Sequence, residues 1–209
     1  MSAPAEHFDS LEHQRQSAEL GMWVFLATEL MFFGPLLLAY AYGRYRYPVG
    51  FAIASGHTNV LIGTVNTALL LTSSLAMALA VRAAQLRRAR SAAWLLALTA
   101  VLGVAFLGLK GLEYAQDGHE QLVPWLAFRF EGPLRTATAL FYDLYFALTG
   151  LHALHLSIGV VVAIVFAVRA RHAPAALPRQ VEIAGLYWHF VDCVWVFLYP
   201  MIYLIDRHG

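Results

Sequence analysis

Five stretches of this chain are long and apolar enough to cross a lipid bilayer, and this restricts its fold more than any other feature. They are Leu20–Tyr42, His57–Val81, Ser91–Ala115, Ala137–Val168 and Ile183–Ile205. A helix crossing ~30 Å of hydrocarbon needs about 20 mostly apolar residues, and each stretch meets that length. Barrel strands would need segments of about ten residues that alternate apolar with polar. Runs such as Ala68 to Ala80 do not alternate. With 60% hydrophobic and 13% charged residues in 209, the chain reads as one that uses lipid as its solvent. The expected fold is all-α, an integral membrane bundle of five transmembrane helices over residues 20–206. A polar segment, residues 1–19, precedes it and a short tail, residues 207–209, follows.

The basic residues set an expected orientation. Numbering the spans in order, one side of the membrane receives Arg15, Arg82, Arg87, Arg88, Arg90, Arg169, Arg171 and Arg179, and the other receives Arg44, Arg46, Arg129, Arg135 and Arg207. The excess on the first side puts the N-terminus in the cytoplasm and the C-terminus outside. The basic residues sit in short turns and no nucleic-acid partner is expected. The first span does not read as a cleaved signal, because its apolar run is long, carries Glu29 and follows a segment richer in acids than in bases. Cys193 is the single cysteine, so no internal disulfide, Cys-x-x-Cys-His haem attachment or four-cysteine zinc site can form.

Between the spans, Gly43 to Gly56 reads as an external loop and Arg82 to Arg90 as a tight basic turn that makes spans two and three antiparallel neighbours. The stretch Gln116 to Arg135 is the longest polar connection, with a short interfacial helix expected near Trp125.

Polar residues inside the spans are the functional signal, since an ionisable group in hydrocarbon costs several kcal/mol unless it is paired or hydrated. Glu29 lies roughly 13 to 14 Å from the start of span one, near mid-membrane. His189 and Asp192, three residues apart in span five, share a face at a similar depth, and His189 is the expected partner of Glu29. In span four His152 and His155 are one turn apart. A buried polar layer shared by spans one, four and five would satisfy all these groups, either for proton handling or lipid contact or simply as packing hydrogen bonds. Lys110 and Glu113 can pair on one face of span three, and the expectation is a solvated anchoring pair at the membrane boundary. The small residues Gly63, Thr64, Thr67, Ser73 and Ser74 mark span two as packing surface, where Asn66 could add an interhelical hydrogen bond.

No catalytic centre emerges. The pair His152 and His155, with His189 on another helix, is a weak metal pattern, and no Glu-x-x-His motif repeats as a di-iron bundle requires. There is no phosphate-binding glycine loop, nucleophile elbow or soluble copper domain. A proton-coupled transporter could use Glu29, His189 and Asp192, but matching halves with broken helices are absent from the sequence.

Five motifs, in order, carry a family resemblance. Gly21 to Phe33, containing Thr28, Glu29, Met31 and Phe32, resembles the Ser/Thr-Glu-x-Met-Phe-Phe helix of cytochrome c oxidase subunit III. Asn66-Thr67 with Ser73-Ser74, Lys110-Gly111-Leu112-Glu113-Tyr114, and Thr149-Gly150 with His152 and His155 are similar to that family's succeeding helices. The stretch Tyr187 to Trp195, with Trp188, His189, Phe190 and Asp192, is similar to the signature of its last helix. The match runs from about Gly21 to Tyr203 and lacks any counterpart of the first two helices of the seven-helix members, so it resembles the short, five-helix bacterial type. The resemblance implies a non-catalytic subunit of a haem-copper terminal oxidase in a bacterial cell (inner) membrane. Such a subunit packs on catalytic subunit I beside the other subunits, supports proton uptake and protects the complex in turnover. Haem and copper would then reside in the partner subunits, none being bound by this chain, with membrane phospholipid as a possible bound group. Quinol oxidases and accessory proteins of nitric-oxide reductases share the short form and stay open as alternatives.

Overall fold

The computed structural model describes residues 11–125, 127–172 and 177–204. In it the five apolar stretches are helices: α1 (Leu11–Arg46), α3 (Val60–Gln85), α4 (Ala89–His119), α5 (Arg135–His172) and α6 (Leu177–Tyr203). All five are long and apolar enough to span a bilayer. The expected helix of span one starts earlier than residue 20, taking in much of the polar lead-in. Residues 1–10 and the expected tail at residues 207–209 lie outside the described residues.

Helices α3, α4, α5 and α6 pack pairwise into a closed ring, with α3 against α4, α4 against α5, α5 against α6 and α6 back against α3. The turn between α3 and α4 is short, with Arg87 in the left-handed region at φ 58°, and the two helices are the expected antiparallel neighbours. Small residues bring backbones together where large rings must fit. A Cβ on Gly103 of α4 would come within 2.7 Å of Val160, and one on Gly159 of α5 within 3.1 Å of Trp188. The indole of Trp188 is thereby seated between α4 and α5, and donates across the ring to Ser73 Oγ of α3 at 3.2 Å. Helix α1 lies outside this ring, against α5 and α6.

Two connections differ from expectation. The stretch after α1 is not a loop. Pro48–Gly56 forms a short helix, α2, opened by a proline at its first turn, where a missing N–H costs nothing. Phe51 and Ala54 are buried, and Gly50 lies so close to Ala137 of α5 that no side chain would fit. The tertiary contact with α5 supplies what the local sequence does not signal. Around Trp125 the described residues form, in place of the expected interfacial helix, a small antiparallel pair of strands, β1 (Leu122–Val123) with β2 (Ala127–Phe128). Buried Leu122 and Val123 anchor it, and the exposed Trp125 rests its ring on Phe146 at 5.5 Å.

At the same end of the bundle, α1 and α2 cap the C-terminus of α6. Tyr40 donates to the Met201 carbonyl and Ser55 Oγ to the Ile202 carbonyl at 2.8 Å, satisfying acceptors that the helix end leaves without partners.

Candidate functional site: two buried polar centres

The polar residues of the spans fall into two separate centres and one unpartnered group, not a single layer. The first centre joins α1 to α5. Glu29 meets His155, not the expected His189: Glu29 Oε2 lies 2.8 Å from His155 Nε2. The other imidazole nitrogen, Nδ1, is 2.8 Å from the Leu151 carbonyl, which can only accept, so Nδ1 carries a proton. The bond to Glu29 then requires one proton between the two side chains, either on the carboxyl as a donor to a neutral ring or on Nε2 as a donor to a carboxylate. Phe33 packs on the ring at 5.3 Å, and Tyr187 donates to the His155 carbonyl at 2.9 Å. The Glu29 and His155 side chains keep 17% and 10% of their surface exposed, a pair at the edge of the protein and not in its centre.

His189 turns away to α3, where its Nδ1 meets Ser74 Oγ at 2.8 Å. Residue counting along each helix suggested a common depth for Glu29 and His189, but rotation about the helix axis also decides which neighbour a side chain meets.

The second centre was expected as a solvated pair and is instead buried. Lys110 and Glu113 have 2% and 3% of their side-chain surface exposed and pair at 3.0 Å. Lys110 Nζ spends its remaining donors on the hydroxyls of Tyr145, at 2.9 Å, and Tyr203, at 2.6 Å. Tyr203 donates to Glu113 Oε1 at 2.7 Å, and the Tyr145 hydroxyl lies 3.1 Å from both Glu113 Oε1 and Asp117 Oδ2. The ammonium also faces four aromatic rings, those of Tyr145, Tyr114, Tyr203 and Trp195, at 4.5, 5.2, 5.3 and 5.7 Å. A buried charge is tolerated only when paired, hydrogen-bonded and placed over electron-rich faces, and Lys110 has all three. Asp117, Tyr145 and Tyr203 were missed from sequence. A signal existed: Lys110, Glu113 and Asp117 fall at i, i+3 and i+7, one continuous face of α4.

A cavity of about 390 Å³ opens beside this centre, lined by His57, Thr58 and Asn59 at the α2–α3 turn and by Glu113, Asp117 and Glu120 of α4. Surface and cluster therefore share Glu113 and Asp117.

His152 and Asp192 join neither centre. His152 is fully buried between Trp195 at 5.0 Å and Phe106 at 5.5 Å, and neither ring nitrogen has a partner. Both Asp192 oxygens also lack a hydrogen bond. Ser74 is a polar neighbour, but the geometry falls short. The interhelical bond expected of Asn66 is not made either. Among the described residues no three or more His, Cys, Asp or Glu side chains are gathered as a metal would require, and the weak pattern of His152, His155 and His189 is dispersed over different neighbours.

The family description cytochrome c oxidase subunit III matches residues 9–206. A cytochrome c oxidase subunit 3 from Alkalihalophilus pseudofirmus is 33% identical over 91% of this chain and 87% of its own length. A quinol oxidase subunit 3 from Bacillus subtilis is 27% identical over 98% of both. A probable quinol oxidase subunit 3 from Staphylococcus epidermidis is 26% identical over 98% of this chain and 97% of its own. With a match of this extent laid over a five-span bundle, the chain belongs to the cytochrome c oxidase subunit III family.

Proposed function

We propose that the chain is the non-catalytic third subunit of a haem-copper terminal oxidase, packing on the catalytic subunit of an aerobic respiratory complex. The carrying observation is the family match across residues 9–206, to relatives that are themselves subunits of oxidases. The side chains agree with a supporting role, since the polar centres are built from packing hydrogen bonds and ion pairs within the bundle. Haem and copper belong to the partner subunits. This chain's contribution is to stabilise the complex and assist proton uptake, with the Glu29–His155 pair as its proton-holding group on the outer helix.

The chain sits in the bacterial cell membrane with its N-terminus cytoplasmic, a reading supported by eight basic residues on one side against five on the other. Reporter fusions in the Arg82 to Arg90 turn test it, and an external location there would reverse the orientation. Membrane lipid is a further partner. An apolar groove of about 350 Å³ between α1, α5 and α6, lined by Met22, Phe25, Val162 and Tyr187, has the character of an acyl-chain site.

Purification of the native complex through a tag on this chain tests the main reading. Haem and copper absorption with oxygen uptake is the expected result, and a colourless homo-oligomer, as a stand-alone transporter would give, overturns it. A quinol-oxidising complex is one specific form, since relatives of both kinds cover nine-tenths or more of this chain. Oxidation of reduced cytochrome c instead of quinol decides against that form. A complex that reduces nitric oxide would place the chain with the accessory proteins of nitric-oxide reductases.

A further inference from the structure

Three polar side chains from three helices, Asn66 of α3, His152 of α5 and Asp192 of α6, are buried in the four-helix ring with no hydrogen-bond partner for any of their side-chain nitrogens or oxygens. Asn66 and His152 are fully buried and Asp192 is 4% exposed. A single buried polar group left unmatched costs on the order of 1–3 kcal/mol, and three in one core form a pattern that protein atoms alone do not account for.

Trp195 packs on His152 and bonds to the helix that carries Asn66. Its ring is 5.0 Å from that of His152, and its Nε1 donates to Thr67, the residue after Asn66, at 3.1 Å. Asp192 lies one helical turn before it, on the same buried face as Trp188 and Trp195. The Lys110 ammonium stands 5.7 Å from the same indole. Lys110 is bonded to Glu113, which with Asp117 lines the open cavity at the α2–α3 turn. Polar groups therefore run from the surface, through Glu113, Asp117 and Lys110, to the middle of the bundle.

We propose that this line is one hydrated path, in which internal water molecules bound by Asn66, His152 and Asp192 connect through the Lys110 cluster to the cavity. Water is the ligand whose chemistry fits, because the orphaned groups include both donors and acceptors, and a buried water makes about three hydrogen bonds to such groups. The path gives the Asp192 carboxyl group access to protons from the surface, any proton leaving to a water being replaced from the same chain of waters. It is separate from the Glu29–His155 pair and does not depend on which electron donor the complex uses.

Brief X-ray radiolysis of the purified complex, with mass spectrometry of this chain, tests the path. Hydroxyl radicals formed from internal water oxidise the nearest rings, so Trp195 and His152 become labelled although both are buried. Phe51, equally buried and packed on the rings of Tyr40 and Phe141, stays unlabelled and serves as the control. Labelling after rapid mixing with water enriched in ¹⁸O dates the exchange. Gln116→Trp, on the exposed rim of the cavity, slows ¹⁸O incorporation at Trp195 about tenfold, which is ~1.4 kcal/mol on the barrier. If Trp195 and His152 are as silent as Phe51, the core is dry and the proposal is overturned. Labelling whose ¹⁸O kinetics ignore Gln116→Trp overturns the route through the cavity. High-resolution density of the complex gives an independent reading: ordered water within bonding distance of His152 and Asp192 is expected, and direct bonds from those groups to protein atoms count against it.

Discussion

In the most apolar stretch of α6, 56% of the residues are buried within the protein, whereas in that of α1 only 11% are. The two helices are of comparable apolarity and face the same solvent, yet they are held by different means. Lipid is as apolar as leucine, so burial of apolar surface gives a membrane helix little reason to prefer protein over bilayer. The ring of α3 to α6 answers with close backbone approach at Gly103 and Gly159, aromatic rings seated across it, and a fully paired lysine. Helix α1 is packed less extensively, with its close backbone approach at Gly43 against Phe51 of α2. It is tied at two levels, by Glu29 to His155 and by Tyr40 to Met201, with Phe33 buried between them beside lipid-facing side chains such as Met31, Phe32 and Leu38. A membrane subunit can thus combine a rigid core with a helix attached by point contacts.

The largest effect is expected where the core would be left with uncompensated charge. Lys110→Ala strands Glu113 and Asp117 among buried rings, a loss on the order of 3–5 kcal/mol. The chain should fail to accumulate in the membrane, as read by immunoblot and by thermal unfolding in detergent. Lys110→Met combined with Glu113→Gln and Asp117→Asn removes the charges together, and should recover most of the loss. Equal behaviour of the single and triple variants would show that charge pairing is not what holds this centre.

The next effect is steric and separates the two regions directly. A methyl group at Gly103 would meet Val160 at 2.7 Å and Trp188 at 3.0 Å, so Gly103→Ala should cost ~1–3 kcal/mol of overpacking. At Gly34 of α1 no heavy atom lies within 4 Å of the added carbon. Gly34→Ala should be neutral or gain up to ~1 kcal/mol from helix propensity. Paired thermal unfolding curves check both, and a penalty at Gly34 would mean that α1 is packed as tightly as the core.

How much of this was legible from sequence follows the same division. The number of membrane-spanning helices follows from apolar length, a one-dimensional property, and it agrees with the structure. Partners depend on rotation about each helix axis and on neighbours distant in sequence. Estimated depth matched Glu29 with His189, yet His189 faces Ser74 and Glu29 faces His155. The position of Lys110 near a span end suggested a snorkelling side chain, but Tyr145 and Tyr203, 35 and 93 residues away, close over it. The helix Pro48–Gly56 was invisible for a similar reason, being short and held by contact with α5.

A smaller effect is expected at the tie between the two regions. Glu29→Ala leaves His155 Nε2 without its partner, and should cost ~1–3 kcal/mol, seen as loss of the chain from the complex or a shorter working lifetime in oxygen uptake. Glu29→Gln keeps a donor for the neutral ring and should assemble normally with full initial turnover. Immediate loss of turnover in a fully assembled Glu29→Gln complex would show that this carboxyl takes part in the reaction itself.

The smallest effect is expected on the outer face of α1. Met31 and Leu38 are 78% and 71% exposed, so most of each side chain faces away from the protein. Met31→Ala and Leu38→Ala exchange one lipid-facing apolar side chain for another, so the isolated chain in detergent should unfold within about 0.5 kcal/mol of the parent. The same truncations in the core, at Leu148 or Leu198, each fully buried, should cost ~2–5 kcal/mol through the cavity they leave. The contrast sharpens when both pairs are placed in the native complex. If α1 faces only lipid there, Met31→Ala and Leu38→Ala leave co-purification with the catalytic subunit unchanged. If they release the chain from the complex while leaving its own unfolding untouched, the outer face of α1 is covered by another subunit. The weak attachment of α1 within the chain is then completed by a contact outside it.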